Sequence, residues 1–500
     1  MRITPLTSLC FGFVLLLSYF TYFHNFGQPA GFFWDENYHV ASAEKYLNGV
    51  FFMEQHPPLG KLLIAAGEKI LNVSTNDTQF LDTNYATGNF EDGFSIVGYR
   101  FLPALLSWLT APVLFFIFLL ITRSPLGATL LSFLYVFDNA LIVHGRGAML
   151  EGPMLFFAAV TVLLFLLLLL RKKREAYFAL LSLLFGITFC LTVMTKLLGL
   201  ILILLVPTLL LHLYPSWKRM GVFLLSFTIG ALFTFVTVWQ IHFSLGNTVR
   251  PGLEKDGWYG ASEEYKDLQR AGKNASLLSF PVMLRDSLKY TNQYNEGVPE
   301  LDLCKPNENG SPFFFWPFGA RAINYRWTSV GEATHRYLYL QVNPVTWFLG
   351  LLGVFLGLLL FIAPAFVPMK KKLAHRYLLG VFLMLYISFM IAVSQIDRVM
   401  YLYHYFTPLL FSFILFGIVI AELEKIGNFV LTGERKMLVL MLLAGCIFLG
   451  YQIYRPLTYY EPITNAALEK RAIFPLWELT CTGCEKESLL VKPVERDNKD

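Results

Sequence analysis

The sequence predicts an all-α polytopic membrane protein, a bundle of about eleven transmembrane helices with two long external loops. Three observations carry this. Of the 500 residues, 55% are hydrophobic and only 15% charged, where a soluble domain carries about a quarter charged. Apolar runs of spanning length recur near residues 6–24, 100–122, 126–142, 152–170, 176–193, 197–214, 220–243, 345–367, 377–393, 400–421 and 437–453. Basic residues occupy every second connection: Arg2, Arg123, the 171–174 cluster, Lys218-Arg219, Lys370 to Lys372 with Arg376, and Lys425 with Arg435-Lys436. By the positive-inside rule those connections are cytoplasmic, so the N-terminus is inside and the tail outside.

The first run, 6–23, follows Arg2 and is about 18 residues long, more than a signal-peptide core of roughly 7–15, so it reads as a retained helix. It leads into the external loop 25–99, within an N-terminal module 1–243. The stretch 72–92, rich in Asn, Thr and Asp, reads as an exposed loop. Spans three to six are the weakest in pattern, because Asp138-Asn139 and the stretch 144–151 interrupt the apolar rows. A second external segment, 244–344, mixes charge with Trp258, Tyr259, Phe313-Phe314-Phe315-Trp316 and Tyr325-Arg326-Trp327, the composition of an amphipathic segment at the membrane interface. Within it, 280–290 has apolar residues near helical spacing and fits a surface helix. A four-helix module, 345–453, and an external tail, 454–500, complete the chain. Asn72, Asn76 and Asn274 head glycosylation sequons on the external side.

The net charge of +5 sits in short clusters between apolar runs, which excludes a nucleic-acid face. Six cysteines make no disulfide scaffold at this length. Cys10, Cys190 and Cys446 fall inside apolar runs. Cys481 and Cys484, with no second CxxC or His partner nearby, read as a local disulfide or free thiols more readily than as a metal half-site.

The residues able to do chemistry gather at external helix ends. Asp35 and Glu36 follow the first span directly, and a helical run over 38–46 can dock them on the bundle. A carboxylate in a partly dry pocket can take a proton from a hydroxyl. In His56-Pro57-Pro58 the two prolines hold His56 extended just ahead of the next helix, which carries Lys61 in its first turn. Arg146, Lys196, Arg398 and His404 break the positive-inside trend. Each alone reads equally as a snorkelling side chain, but converging from different helices they make a cationic site for a phosphate. Glu151, a little over one turn past Arg146, is placed to pair with it.

Taken in order, these motifs resemble the protein O-mannosyltransferase family of the GT-C class of lipid-carrier-dependent glycosyltransferases, over most of the chain. Asp35-Glu36 with His39, then His56-Pro57-Pro58-Leu59-Gly60-Lys61, is similar to that family's first external loop. Phe137-Asp138-Asn139 through Arg146 and Glu151 is similar to its next motif, with Glu where Asp is commoner. Lys196 in Met194-Thr195-Lys196-Leu197-Leu198-Gly199, Ser311-Pro312 with Trp316, Asn343-Pro344, and Arg398 to Tyr405 follow. The resemblance implies a GT-C bundle and an inverting transfer of a sugar, expected to be mannose, from a polyprenyl- or dolichyl-phosphate carrier to Ser or Thr hydroxyls of a protein. It implies Asp35 as base with Glu36 assisting, and Arg146, Lys196, Arg398 and His404 around the donor phosphate. His39, His56, Lys61, Glu151 and Trp316 become candidates to position acceptor or donor. No cofactor is indicated, and a divalent metal is compatible but not called for. The 244–344 loop is too short for the family's inserted MIR domain, so the chain looks like a compact, bacterial-type member working at the external face of the cytoplasmic membrane, with the lumenal face of the endoplasmic reticulum as the alternative. Residues 292–297 lack histidines the family often has there, which bears on acceptor recognition. Two rival readings remain: a same-fold enzyme moving an aminoarabinose-like sugar to lipid A, and a lipid-linked sugar transporter, which predicts charged or broken helices at mid-membrane.

Overall fold

The computed structural model describes residues 4–81, 90–170, 175–305, 308–366, 372–426 and 429–481. Arg2, the 171–174 cluster, Lys370, Lys371 and Cys484 lie outside the described residues. The chain divides into two compact units, Met1–Ser132 with His144–Gly297, and Phe133–Val143 with Val298–Asp500.

In the first unit, α1 (Pro5–Ser18) starts on Thr4, whose hydroxyl accepts the Thr7 N–H at 3.2 Å, with proline at the first helical position, and runs on as a π-turn to Phe23. The external helices α2 (Glu36–Leu47) and α3 (Leu59–Leu71) precede the long α4 (Ile96–Thr122). The α3 and α4 backbones nearly touch: a Cβ on Gly67 would lie 2.5 Å from the Gly98 carbonyl oxygen. Next come α5 (Pro125–Val136) and α6 (Asn139–Gly145), of which Phe133–Val143 belongs to the second unit. The first unit continues with α7 (Glu151–Leu170), α8 (Glu175–Thr195), a 3-10 stretch Leu197–Leu204 with α9 (Leu205–Leu213), and α10 (Trp217–Leu245). Gly186 of α8 and Gly230 of α10 permit another close crossing, since a Cβ on either would meet a carbonyl oxygen of the other helix at 2.2 and 2.4 Å. Small residues at such crossings are how helices pack where no hydrophobic drive separates lipid from protein. Two surface helices, α11 (Glu263–Arg270) and α12 (Phe280–Glu296), end the unit; α12 is the surface helix expected over 280–290.

The second unit begins with a three-stranded antiparallel sheet. Strand β1 (Ile323–Gly331) turns into β2 (Thr334–Leu340), with Ile323 opposite Leu340. Helices α13 (Pro344–Phe366), α14 (Arg376–Val393), α15 (Phe406–Glu422) and α16 (Gly433–Thr458) follow, with a two-residue hairpin β3 (Lys425–Ile426) and β4 (Phe429–Val430) before α16. Strand β5 (Pro462–Thr464) adds to β2, and the short α17 (Asn465–Glu469) follows it. Helix α15 is apolar and buried around nearly its whole circumference, as the central helix of a bundle must be. A buried ion pair, Arg321 Nε to Glu478 Oε2 at 3.0 Å, and Tyr339 donating to the Thr480 carbonyl at 2.6 Å hold the tail to the sheet. Cys481 is disulfide-bonded.

Against the expected eleven spans, nine described helices are long and apolar enough to cross a membrane, or ten if a bent pair over the expected 126–142 run counts as one span. The 126–142 run is instead two helices, α5 and α6, bent by 66°. Asp138 makes the break: its carboxylate accepts the Leu141 N–H at 3.0 Å, capping α6, and also the Thr346 hydroxyl and the Trp347 indole at 2.5 and 2.9 Å. A charged break of this kind was expected only of a transporter; here both oxygens are satisfied by packed neighbours, so the joint is structural. The 197–214 run is a shorter apolar piece, Leu197–Leu213, because it begins as 3-10 helix. The sheet is an addition to the all-α expectation, although Ile323, Tyr325 and Trp327 alternate with polar residues up to a tight turn. Asn274, which heads the third sequon, is itself buried, its amide donating to the Phe243 carbonyl at 2.8 Å.

The described part of the 72–95 loop docks through buried carboxylates. Glu68 of α3 accepts the Ser74 N–H at 2.8 Å, and Glu44 of α2 accepts the Phe80 N–H at 2.6 Å. Burial pushes the Glu44 carboxyl up to about 8, and Asp77 adds to the shift while the Phe80 N–H opposes it. Above the unfolded value of 4.5 the unfolded chain has lost a proton that the fold keeps, so stability falls as pH rises from there and levels off past about 8. Glu44→Gln is therefore expected to flatten the decline in apparent Tm between about pH 5 and about pH 9, measured by thermal unfolding in detergent.

Candidate active site

Glu36, the first residue of α2, is fully buried and accepts four hydrogen bonds. Arg100 of α4 donates through Nε to Oε1 at 2.6 Å and through Nη2 to Oε2 at 2.7 Å. The backbone N–H groups of Phe33 and Ala148 supply the others at 3.0 and 2.8 Å. The remaining guanidinium donors reach the carbonyls of Gly27, Pro29 and Gly31 at 3.1, 2.7 and 2.8 Å, and the Phe33 ring lies 4.6 Å beneath. All five N–H donors of the fork are thereby used. The segment from the first span to α2 is wrapped around one buried cation.

Asp35 is held at the end of that wrapping. It sits at the N-cap of α2 with φ −81° and ψ 6°, and its carbonyl accepts the N–H groups of Tyr38 and His39 at 3.1 and 3.2 Å. These angles lie in the sparsely allowed bridge region where active-site residues are often found. Trp34, just before it, has φ +50°, a strained conformation for a bulky side chain. The Asp35 side chain is half-buried, so a carboxylate there is partly shielded from water.

One turn along α2, the His39 Nδ1 lies 2.8 Å from the Ala148 carbonyl. A carbonyl oxygen only accepts, so Nδ1 carries the proton and the lone pair is on Nε2. Burial first, and then the Lys61 charge, push this ring down to about 3, so it stays neutral. Glu36 and His39 thus grip the N–H and the C=O of the same residue, Ala148. Lys61 pairs with buried Glu54 at 2.7 Å. Burial raises the Glu54 carboxyl, and Lys61 opposes that shift. Gly60 lets α3 press on Leu150 and Thr195, where a Cβ would meet their side chains at 2.6 and 3.4 Å. His56 is half-buried in the turn before α3.

The cations divide. Lys196, at the end of α8, is ion-paired with Glu151, whose other oxygen is 2.6 Å from His144 Nε2. Glu151 therefore pairs with Lys196 and His144 instead of the expected Arg146. The Arg146 guanidinium turns to the end of the first span, donating to the carbonyls of Thr21, His24 and Asn25 at 3.3, 2.8 and 2.6 Å, a favourable place for a cation at a helix C-terminus. Arg398, His404 and Trp316 belong to the second unit. There His404 is stacked between Trp316 and Tyr403, with ring centroids 6.2 and 4.6 Å away. Trp316 is fully buried, its indole donating to the Ser311 hydroxyl at 2.7 Å. Arg398 is half-buried, in a backbone bridge to Glu300.

Sequence reasoning missed Arg100, Glu54 and His144. Arg100 had a signal, being an arginine in the first turn of an apolar span on the external side, where it must either reach water or find a carboxylate. Arg100→Met is expected to cost about 3–5 kcal/mol, because it leaves Glu36 buried and uncompensated, while Arg100→Met with Glu36→Gln costs less than the two singles summed. Thermal unfolding of the four chains in detergent measures this.

The family model described as dolichyl-phosphate-mannose-protein mannosyltransferase matches residues 12–248, and that of the C-terminal four TMM region of protein-O-mannosyltransferase matches 291–477. Among curated relatives, dolichyl-phosphate-mannose--protein mannosyltransferase 4 of Schizosaccharomyces pombe is 34% identical over 148 residues, 30% of this chain and 19% of that protein. Protein O-mannosyl-transferase 2 of Danio rerio is 27% identical over 278 residues, 53% and 36% of the two chains. The match thus spans about a fifth to a third of these relatives' length. A chain of the S. cerevisiae protein O-mannosyltransferase Pmt1-Pmt2 complex bound to the sugar donor shares the fold, with a TM-score of 0.75 over 95% of this chain and 93% of that one at 15% identity. The two family models, both of protein O-mannosyltransferases, together match most of the chain, so this chain belongs to the protein O-mannosyltransferase family.

Proposed function

We propose that this chain is an inverting glycosyltransferase that moves mannose from a dolichyl- or polyprenyl-phosphate carrier to Ser or Thr hydroxyls of proteins. The reaction takes place at the external face of the membrane, which is periplasmic in a bacterium and lumenal in the endoplasmic reticulum. The observation that carries this reading is the Asp35 carboxylate, half-buried, at a bridge-region N-cap, and held by the Glu36–Arg100 wrapping at the outer end of α4. In this reading the 25–99 loop is the catalytic loop.

Asp35 takes the proton of the acceptor hydroxyl as its oxygen attacks the anomeric carbon. The bond from that carbon to the phosphate oxygen breaks with inversion, and the lipid phosphate leaves with the electron pair. Charge developing on the phosphate calls for fixed cations. Lys196 suits this role best, because Glu151 and His144 already orient it. Arg146, anchored to three carbonyls, serves first by fixing the end of the first span. Neutral His39, proton on Nδ1, keeps an acceptor lone pair on Nε2 beside the Lys61 and Lys196 charges. Glu36, with four donors, acts as a positioning residue for Asp35.

Asp35→Asn is expected to lower transfer from dolichyl-phosphate mannose to a Ser/Thr peptide by about 10²–10⁴-fold, the usual worth of a general base. Retained transfer would remove Asp35 from that role, and transfer to a glycolipid but not to peptide would replace the acceptor. Lys196→Ala is expected to raise the KM for the lipid donor and leave the KM for peptide nearly unchanged. Equal effects on both would count against a phosphate contact.

A further inference from the structure

Between α11 and α12 the chain runs back along the outer end of α10 and presents two leucines to the outside. Asn274 ties this turn to the helix: its amide donates to the Phe243 carbonyl at 2.8 Å, and Gln240 donates to the Asn274 carbonyl at 3.4 Å. The next contact is Phe280, two residues past the leucine pair. Its ring lies 5.8 Å from that of Phe243 and 6.4 Å from that of Phe235. Those two residues are about 12 Å apart along the helix, so Phe280 sits between them, near the level of Trp239.

That level can be placed against a bilayer. Lys218 and Arg219 mark the inner end of α10. About 20 residues of helix, or roughly 30 Å of hydrocarbon, bring the outer boundary to about residue 239. The turn is therefore at the edge of the acyl region. At this height Leu277 is 66% exposed and Leu278 92% exposed, the most exposed large apolar side chain among the described residues. Their neighbours face inward: Asn274 and Ser279 are buried. Lys273, exposed just before the turn, is placed where an ammonium meets headgroup phosphates.

The geometry points to this turn as a lipid anchor, with Leu277 and Leu278 inserted among the acyl chains of the outer leaflet. The occupant is phospholipid because the leucines lie above the exposed Leu232 and Phe233 of α10, which helical spacing puts within about 80° of Phe243, on the side the turn packs against. The anchor acts on α12. The Thr291 hydroxyl of that helix donates to the Glu54 carbonyl at 3.0 Å, two residues before His56. A fixed depth for the turn thus fixes the height of α12 and of the His56-Pro57-Pro58 segment above the lipid.

The test uses the full chain with its exposed free thiols removed, Cys304→Ser and Cys446→Ser, carrying Leu278→Cys labelled with bimane. It is reconstituted into phosphatidylcholine–phosphatidylglycerol nanodiscs. Glu263→Cys on α11, an exposed position, serves as the reference. Lipids bearing a nitroxide high on the acyl chain are expected to quench the Leu278→Cys label several-fold more than the reference. Aqueous iodide is expected to quench it several-fold less. Equal iodide quenching at the two positions, without nitroxide quenching, would return the leucines to water and overturn the anchor. Protection from both quenchers would overturn it too, by giving the pair to a protein partner or a second copy of this chain. Leu277→Cys is a second reporter with the same expected pattern should Leu278→Cys fail to purify as a monodisperse species.

Discussion

One buried ion pair organises the candidate site. Neither Glu36 nor Arg100 touches water, and such a pair is worth having in a dry interior only when every remaining donor and acceptor is also met. Here they are met by backbone, and the backbone comes from two places: the turn between the first span and α2, and the segment leading to α7. Charge desolvation is thereby converted into positional restraint. The 27–36 turn, α4 and the segment at Ala148 are fixed around one ion pair, and Asp35, next to Glu36, takes its unusual backbone angles from that restraint. The strain at Trp34 belongs to the same construction, since a left-handed bulky residue persists only where its surroundings overdetermine it.

The same device recurs around the other polar groups of the first unit. Lys61 is held by Glu54, Lys196 by Glu151, and Glu151 by His144. Each carboxylate is buried, so each ammonium has a defined position and does not sweep a surface. A cation held this way is pre-arranged to meet charge that develops during a reaction, without reorganising at that moment. Arg146 shows that a cation at the external end of a helix need not serve a ligand first. Three of its donors go to carbonyls at and just past the end of the first span, where the last turn of a helix leaves carbonyls without an intrahelical partner.

Much of the bundle was legible because a bilayer constrains sequence more harshly than water does. A span needs a long apolar run, and each boundary is marked by charge. The two places where an apolar run is not one straight spanning helix share a cause. Residues 126–142 and 197–214 are apolar enough to span, but Asp138 breaks the first with a cap and the second starts as tighter 3-10 turns. Hydropathy measures affinity for lipid and is silent on backbone geometry. The β1–β2 hairpin was overlooked for the opposite reason: its aromatic residues alternate, and the same composition also suits an interfacial segment.

From the sequence alone came the membrane bundle, the two external loops, the acidic pair after the first span and the His-Pro-Pro turn, since each depends on neighbours a few residues apart. The tertiary structure decided which charge meets which. Glu36 finds Arg100 across 64 residues, Lys196 finds Glu151 across 45, and Ala148 lies between Glu36 and His39 across more than a hundred. A carboxylate in a sequence is written identically whether it faces solvent, caps a helix or neutralises a buried arginine. Only the packing of α3 on α4 and of α2 against the loop before α7 assigns those roles, because burial is what makes a missing partner costly.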